Sequence, residues 1–259
     1  MLIVISPAKK QRFDTAVVAE VEVTTPQFSS QAEMLVALLK NKTVPDLQKL
    51  MALSPTLAKL NVERFQSFDT AVACPALFAF QGDVYQGLAA ASLPKTALIY
   101  AENHLAILSG LYGLLSPFDL IKPHRLEMGL ALATQQGKNL YHFWGESITH
   151  ALNHHLATHQ NPVLINLASQ EYFRAIRTNI LKHPVIDIEF REYKNGQYKV
   201  VSLFAKRARG KMARYILENE LATPDAMKSF TVDGYRFSAE HSTECRYVFI
   251  RHYPQLTKD

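Results

Sequence analysis

The chain has 259 residues, of which 48% are hydrophobic, and a formal net charge of +5. A chain of this length and apolar content can bury a core without disulfides or a structural metal. Its apolar runs are shorter than the roughly 20 residues that a transmembrane helix needs, and the run at its start is too short for a secretory signal. We therefore expect a cytoplasmic protein without a membrane contact, in which Cys74 and Cys245 are buried, reduced thiols.

The first half of the chain predicts short strands and helices. The β-branched run at residues 2–5 predicts a buried strand. Serine caps and proline in first turns predict helices over 29–40, over 45–52 and from 55 onward. Residues 77–80 indicate a strand and 82–88 a turn into a helix, whereas 97–107 are apolar without a clear period.

The second half predicts a long helix over 140–157, a strand over 163–167 and a helix over 206–221. Strands over 185–190 and 198–204 flank residues 194–196, Lys-Asn-Gly, the clearest hairpin signal in the chain. Residues 230–249 alternate enough for two further strands. Because there are no repeats and no linker, we predict one mixed-sheet α/β domain with surrounding helices over residues 1–259.

The positive charge is concentrated in the second half of the chain. Residues 1–129 hold 11 basic and 11 acidic residues, whereas residues 130–259 hold 17 and 12. Residues 174–214 alone hold 11 basic and 3 acidic residues. Such a stripe attracts polyanions through Coulomb steering and counterion release. We therefore predict a polyanion-binding surface here, with a solvated charged face as the alternative.

Residues 205–217 carry the most ordered part of this charge. On a helix, Arg207, Lys211 and Arg214 share one face with Gly210, and the opposite face is apolar. Like charges one turn apart repel, and a glycine inside a helix costs ~1 kcal/mol relative to alanine. We infer that either a phosphate or another backbone approaches this face closely. The predicted nucleic-acid-binding residues are Lys206, Arg207, Arg209, Gly210, Lys211 and Arg214.

Two turns are candidates for holding a phosphate. Residues 45–65 predict helix, tight turn, helix, and the form L-S-x-x-L-A is similar to the hairpin of helix-hairpin-helix modules. Ser54 and Thr56 are the candidate positions there, and two packed helices are the alternative. The second turn offers two glycines three apart, which suit a close approach of a phosphate or of a neighbouring segment. Its candidate positions are Ser109, Gly110 and Gly113.

Six motifs stand in order along the chain. They are SPAK (6–9), F-x-GDVYxGL (80–88), LSGLYG (108–113), RLEMG (125–129), NLAS-x-EYF (166–173) and AK-x-ARG-x-M-x-R (205–214). Together they resemble the YaaA family of bacterial peroxide stress resistance proteins, over nearly the whole chain. Lys10, Ser116 and His124 depart from the family pattern, which has threonine, arginine and tyrosine there.

The resemblance implies a cytosolic protein that limits damage during hydrogen peroxide stress by keeping free intracellular iron low. It also implies DNA binding, an unusual α/β fold with a positively charged cleft and a helix-hairpin-helix element, and no established enzymatic activity. Matching the basic motif residue by residue assigns Lys206, Arg209, Gly210 and Arg214 to it.

An iron-linked role raises the question of metal ligands. Glu146, His150 and His154 are spaced i, i+4, i+8 on the helix predicted over 140–157, and adjacent members of such a line can share a metal. Because no further ligand cluster accompanies them, we predict surface histidines, no bound metal and no cofactor.

Two functions remain open. The first is a monomeric DNA-binding protein that contacts phosphates, largely ignores sequence and protects against peroxide by limiting iron and oxidative DNA damage. The alternative is an enzyme that acts on a nucleotide or a damaged nucleobase in a basic cleft. Its candidate catalytic residues are polar members of the motifs, namely Lys9, Asp83, Arg125, Glu127 and Glu171. Internal salt bridges are a further interpretation of these five, and their meeting in one pocket would favour the enzyme.

Overall fold

The computed structural model of the chain describes residues 1–13 and 21–253. The α-helices are α1 (Ser29–Lys40), α2 (Val44–Met51), α3 (Pro55–Gln66), α4 (Ala76–Ala79), α5 (Asp83–Leu88), α6 (Lys95–His104), α7 (Leu140–Trp144), α8 (Ser147–Leu156), α9 (Gln170–Phe173) and α10 (Ser202–Glu218). The strands are β1 (Leu2–Ile5), β2 (Lys10–Gln11), β3 (Cys74–Pro75), β4 (Phe80–Gln81), β5 (Leu105–Ser109), β6 (Gly113–Leu115), β7 (Leu120–Ile121), β8 (Leu164–Asn166), β9 (Val185–Lys194), β10 (Gln197–Lys199), β11 (Arg236–Phe237) and β12 (Arg246–His252). Short 3-10 helices cover Phe68–Thr70, Ala90–Ser92, Pro224–Ser229 and Val232–Gly234.

A mixed sheet forms the centre of the fold. Within the described residues it has eight strands in the order β11-β12-β9-β8-β1-β5-β6, with β10 paired to β9. The strands β12, β9, β8, β1 and β5 pair in parallel, and β11, β10 and β6 are antiparallel additions. The predicted α/β class with a mixed sheet is therefore confirmed. That the whole chain forms one domain stays a prediction.

The strand β1 lies at a change of direction in the sheet. The chain goes from β1 to its neighbour β5 on one side, and later returns to β8 on the other side. All four residues of β1 are buried, as expected for a parallel strand covered on both faces. In open α/β sheets, ligands bind outside the carboxyl ends of the strands at such a switch point.

The helices α5 and α10 cross at two glycines. A Cβ at Gly210 of α10 would overlap the carbonyl oxygen of Val84, and a Cβ at Gly87 of α5 would overlap the carbonyl oxygen of Arg207. Only bare backbones can approach so closely. This crossing fixes α10 against the segment that follows β4.

Three local predictions were wrong. Residues 77–80 were predicted as a strand, but 76–79 form the helical turn α4; all four residues are buried, so no period distinguished the two. The long helix predicted over 140–157 is two helices, because Gly145 turns the chain with φ +50°. The strand predicted over 198–204 ends at Lys199, and α10 begins at Ser202.

The predicted helix–turn–helix over 45–65 is present as α2 and α3. Ala52 ends α2 in the left-handed conformation, and the Ser54 hydroxyl accepts a hydrogen bond from the Leu57 amide at the start of α3. A nucleic-acid-binding hairpin at this turn stays a prediction.

Two predictions concern thiols and membranes. Cys74 is buried as predicted, whereas Cys245 is exposed, so the prediction of two buried thiols was wrong for Cys245. Among the described residues, no helix is long and apolar enough to cross a membrane.

Candidate functional site

A cleft opens at the carboxyl ends of β1 and β8. Its walls come from residues 6–10 after β1, residues 81–85 at the start of α5, the segment 167–172 after β8, and Lys206 and Arg209 of α10. We call it the strand-end cleft. Its volume is ≈ 450 Å³, within the range of about 300–1,000 Å³ that small-molecule pockets occupy.

Glu127 lines the strand-end cleft and is 8% exposed. Its Oε1 accepts hydrogen bonds from Arg125, with distances of 3.0 Å to Nε and 2.8 Å to an Nη atom, and lies 3.3 Å from Nζ of Lys9. Its other oxygen, Oε2, is buried without a hydrogen-bond partner in the described structure. Two cations therefore hold one oxygen of this carboxylate and leave the other free.

The other two carboxylates of the cleft also have partners. Oε1 of Glu171 accepts a hydrogen bond from the Gly129 amide at 3.0 Å, and Asp83 lies 3.5 Å from Nε of Arg207. Burial, together with the neighbouring Glu171 and Glu127, raises the pKa of the Tyr172 phenol above its usual value. Tyr172 therefore presents a neutral phenol at the cleft wall.

Three cations of the cleft, unlike its carboxylates, have no ion-pair partner among the described residues. Lys10 and Lys206 are exposed and have no ion-pair partner among the described residues. Burial lowers the pKa of Arg209 from its usual value. The nearby carboxylates of Glu189 and Asp187 act in the opposite direction, although neither forms an ion pair with Arg209 in the described structure. The cleft therefore offers unpaired positive charge at the side of α10 and residue 10.

A smaller recess adjoins the cleft behind Glu127. Its volume is ≈ 20 Å³, enough for about one water molecule, and its walls include Ser109, His124 and Arg125. Burial lowers the pKa of His124 to about 4, so its ring is neutral at physiological pH. The geometry of Nδ1, 2.7 Å from the Lys122 carbonyl, assigns the ring proton to that nitrogen.

All five candidate catalytic residues meet here. Lys9, Asp83, Glu127 and Glu171 line the strand-end cleft, and Arg125 lines the adjoining recess together with Lys9 and Glu127. They come from segments up to 162 positions apart in the sequence.

The predicted nucleic-acid-binding residues of α10 divide into two groups. Lys206 and Arg209 face the strand-end cleft. The other three cations have partners within the chain. Arg207 pairs with Asp83, Lys211 lies 2.5 Å from Asp233, and Arg214 bonds the segment after α5 and Glu218.

Arg214 joins α10 to the segment that follows α5. Its guanidinium donates to the carbonyl oxygens of Leu88, Ala89 and Ser92, and to the Ser92 hydroxyl at 2.8 Å. These bonds satisfy the open carbonyls at the end of α5. The nucleic-acid role of Arg207, Lys211 and Arg214 stays a prediction, and a structural role of Arg214 is visible.

Both glycine candidates pack closely against other parts of the chain. A Cβ at Gly110 would overlap the carbonyl oxygen of Leu126, and one at Gly113, where φ is +70°, would lie 2.7 Å from the Trp144 ring. The indole of Trp144 donates a hydrogen bond to the Gly110 carbonyl at 3.0 Å. Gly110 therefore lets the segment with Arg125 and Glu127 pack against β5, which sets the position of that pair.

The remaining turn candidates lie in different settings. Ser109 is buried, accepts a hydrogen bond from the Tyr112 amide at 3.1 Å and lines the recess. Ser54 and Thr56 are exposed at the start of α3. Whether either site holds a phosphate stays a prediction.

Comparison with known proteins identifies the family. The family model described as "Peroxide stress protein YaaA" matches residues 1–241. The chain belongs to the YaaA family of peroxide stress proteins. A UPF0246 protein of Caulobacter vibrioides is 49% identical over 256 residues, which cover 98% of this chain and 100% of that protein. One of Bordetella petrii is 48% identical, covering 97% and 99%, and one of a Janthinobacterium species is 46% identical, covering 97% and 98%.

Sequence reasoning missed three features of the site in this family member. Tyr172 follows Glu171 in the motif over 166–173, and an aromatic residue beside an acid in the segment that follows a predicted strand was a usable signal. Lys10 stood in the sequence only as a departure from the family pattern, and it lines the cleft. The free oxygen of Glu127 had no signal in the sequence, because it depends on which donors reach the carboxylate.

The candidate metal ligands of α8 lie on the surface of the protein. Glu146 and His150 lie 3.4 Å apart as an exposed pair. In the part of the chain that the structure describes, no group of three or more His, Cys, Asp or Glu residues is arranged to hold a metal ion.

Proposed function

We propose that this YaaA-family protein binds DNA during peroxide stress, and that the strand-end cleft receives a phosphate of the DNA. One observation carries the proposal. Lys10, Lys206 and Arg209 line the cleft without ion-pair partners among the described residues, whereas its three carboxylates are all engaged.

Unpaired cations in a concave site attract phosphate for two reasons. No ion pair among the described residues engages them, and the low-dielectric walls focus the field into the cleft. Contacts to phosphate carry no sequence information, so we expect binding that is largely independent of sequence. This reassigns the predicted surface from the Arg207, Lys211 and Arg214 face of α10 to its Lys206 and Arg209 border.

The test is the salt dependence of duplex binding. Log affinity falls linearly with log salt, with a slope of about −0.9 per neutralised phosphate. We expect Lys206→Ala with Arg209→Ala to make that slope about 1 unit less steep, because both side chains serve the same phosphate, and to weaken binding at low salt. The readout is fluorescence anisotropy of a labelled duplex at several salt concentrations.

A matched control removes two positive charges elsewhere. Lys138 and Lys182 are exposed and do not line the cleft. Lys138→Ala with Lys182→Ala changes the net charge equally, so we expect its slope to stay close to that of the unmodified protein. Equal losses in the two double variants would remove the cleft from the DNA-binding surface.

The proposal extends to the physiological role that the family resemblance implies. We propose that the protein limits free intracellular iron and oxidative DNA damage in peroxide-treated cells. Electron paramagnetic resonance of chelatable iron and counting of DNA lesions measure the two effects separately. Cells that carry the cleft variant in place of the unmodified protein should show more lesions; unchanged lesions with normal protein levels would contradict the link between the cleft and protection.

A second function is favoured by a different observation. The five candidate catalytic residues line one cleft and its recess, which supports an enzyme that acts on a nucleotide or a damaged nucleobase. Incubation with damaged and unpaired DNA, followed by mass spectrometry, tests for a product. Product that forms with the unmodified protein but not with Arg125→Ala would support this function, and no product from any substrate would count against it.

A further inference from the structure

The free oxygen of Glu127 calls for a hydrogen-bond donor. The side chain is held rigidly, because Arg125 and Lys9 both contact Oε1. Oε2 is buried and has no partner in the described structure, and Glu127 lines both the cleft and the recess. Native proteins rarely leave a buried charged oxygen unpaired, because it has lost its hydration without compensation.

A ligand that fills the cleft must satisfy two different chemistries. It must bring an anionic group to Lys10, Lys206 and Arg209, and an N–H or O–H donor to Glu127. The remaining walls are partly apolar and aromatic, through Val84, Leu167 and Tyr172. A phosphate joined to a flat ring that bears N–H groups combines all three requirements, and this is the chemistry of a nucleotide.

We propose that the strand-end cleft is a pocket for one unpaired nucleotide, with its phosphate at Lys206 and Arg209 and an N–H group of its base donating to Oε2 of Glu127. The inference rests on the proposed function, since it assigns a specific DNA structure to the same cleft. A base inside a duplex has its Watson–Crick edge occupied by the opposite base. The nucleotide in the cleft is therefore extrahelical or at a strand end.

The probe for the pocket alone is 2′-deoxyguanosine monophosphate, because the Watson–Crick edge of guanine presents N–H donors. In Glu127→Gln, Arg125 claims the amide oxygen and the amide nitrogen then faces the ligand donor. We expect the affinity for this nucleotide to fall about tenfold or more. The affinity for inorganic phosphate should stay equal or rise, because a negative charge leaves the cleft. Opposite signs for the two probes separate a lost hydrogen bond from a general change in charge.

Glu146→Gln is the matched control, since it removes the same charge from an exposed carboxylate at the start of α8. It should leave both affinities unchanged. Glu127→Gln that binds the nucleotide as tightly as the unmodified protein overturns the proposal. So does inorganic phosphate that competes as well as the nucleotide.

A second measurement uses the unmodified protein and covers the case in which Glu127→Gln fails to fold. 2′-Deoxyribose 5-phosphate carries the phosphate and the sugar without the base. The nucleotide should bind about tenfold tighter than this sugar phosphate. Equal affinities would overturn the proposal that the pocket contacts the base.

DNA distinguishes the source of the nucleotide. A duplex with one unpaired guanine should bind more tightly than the fully paired duplex, and Glu127→Gln should erase that difference. If Glu127→Gln still prefers the duplex with the unpaired guanine, the proposed nucleotide pocket is wrong. If the unmodified protein binds no duplex at all, the proposed function itself is contradicted. The nucleotide titrations test the pocket in either case.

Discussion

Gly210→Ala distinguishes the two explanations for a glycine in the middle of α10. If the glycine serves a phosphate, alanine removes a helix-interior cost and should stabilise the fold by ~1 kcal/mol. If it serves the crossing with α5, the new Cβ overlaps the Val84 carbonyl and lies 2.8 Å from the Leu88 amide nitrogen. Both atoms belong to backbone, so neither can move aside alone.

The magnitude follows from the two terms. Overpacking of a well-packed site costs about 1–3 kcal/mol, and a clash between two backbones belongs at or above the upper end of that range. After the gain of ~1 kcal/mol in helix propensity, we expect a net loss of about 2 kcal/mol. For a chain of this size, that corresponds to a decrease in Tm of roughly 4–8 °C.

Circular dichroism during heating and urea unfolding provide the assay. Leu203→Ala is the control, because this side chain on the same helix is 45% exposed and its loss should change Tm little. A Tm of Gly210→Ala equal to or above that of the unmodified protein, with weaker DNA binding, would refute the packing argument and restore the phosphate interpretation.

Three further predictions concern the surroundings of the cleft. Gly113→Ala should destabilise the fold by about 2 kcal/mol or more and alter Trp144 fluorescence, because alanine is strained at φ +70° and its Cβ would lie 2.7 Å from the indole ring; unchanged fluorescence and Tm would contradict this. Burial lowers the pKa of His124 from 6.5 to about 4, so the unfolded chain takes up the proton at a higher pH than the folded chain. The free energy of unfolding should therefore fall by about 3 kcal/mol in total as the pH falls from 6.5 to about 4. In His124→Leu, urea unfolding across that window should show a shallower pH dependence, and an unchanged slope would exclude His124 as its source. Arg214→Ala should lower Tm while changing DNA affinity per folded molecule less than twofold, because its guanidinium already bonds the chain around Ser92; normal stability with lost binding would reverse this assignment.

Local signals in the sequence were sufficient for many elements of the fold. The run Leu2–Ile5 specified a buried strand, Ser54 specified the start of α3, and Asn195-Gly196 specified the turn of the β9–β10 hairpin. Each of these depends on interactions within a few residues, namely apolar burial, a cap and left-handed turn geometry. The same local rules identified α10 and its apolar face, since helical period is a property of the segment itself.

Tertiary structure decided what the polar face of α10 contacts. The spacing of Arg207, Lys211 and Arg214 predicts that they share one face, and the structure shows that Asp83, Asp233 and the end of α5 contact these side chains. A helical period tells which residues share a face and cannot tell which segment packs against it. The low exposure of Gly210 is likewise a result of the crossing with α5.

The candidate site depended on both the sequence and the tertiary structure. The sequence named Lys9, Asp83, Arg125, Glu127 and Glu171 by residue type and motif, and it left their meeting in space as an open question. The sheet order decided part of it, because β1 and β8 are neighbours and bring the segments after them, with Lys9 and Glu171, to one edge. The close packing of Gly110 against Leu126 decided the position of Arg125 and Glu127. Parallel strands need long crossovers, so residues that share this edge are far apart in the chain. The residue types therefore indicated the chemistry, and long-range contacts, among them the pairing of the strands, brought that chemistry together in one cleft.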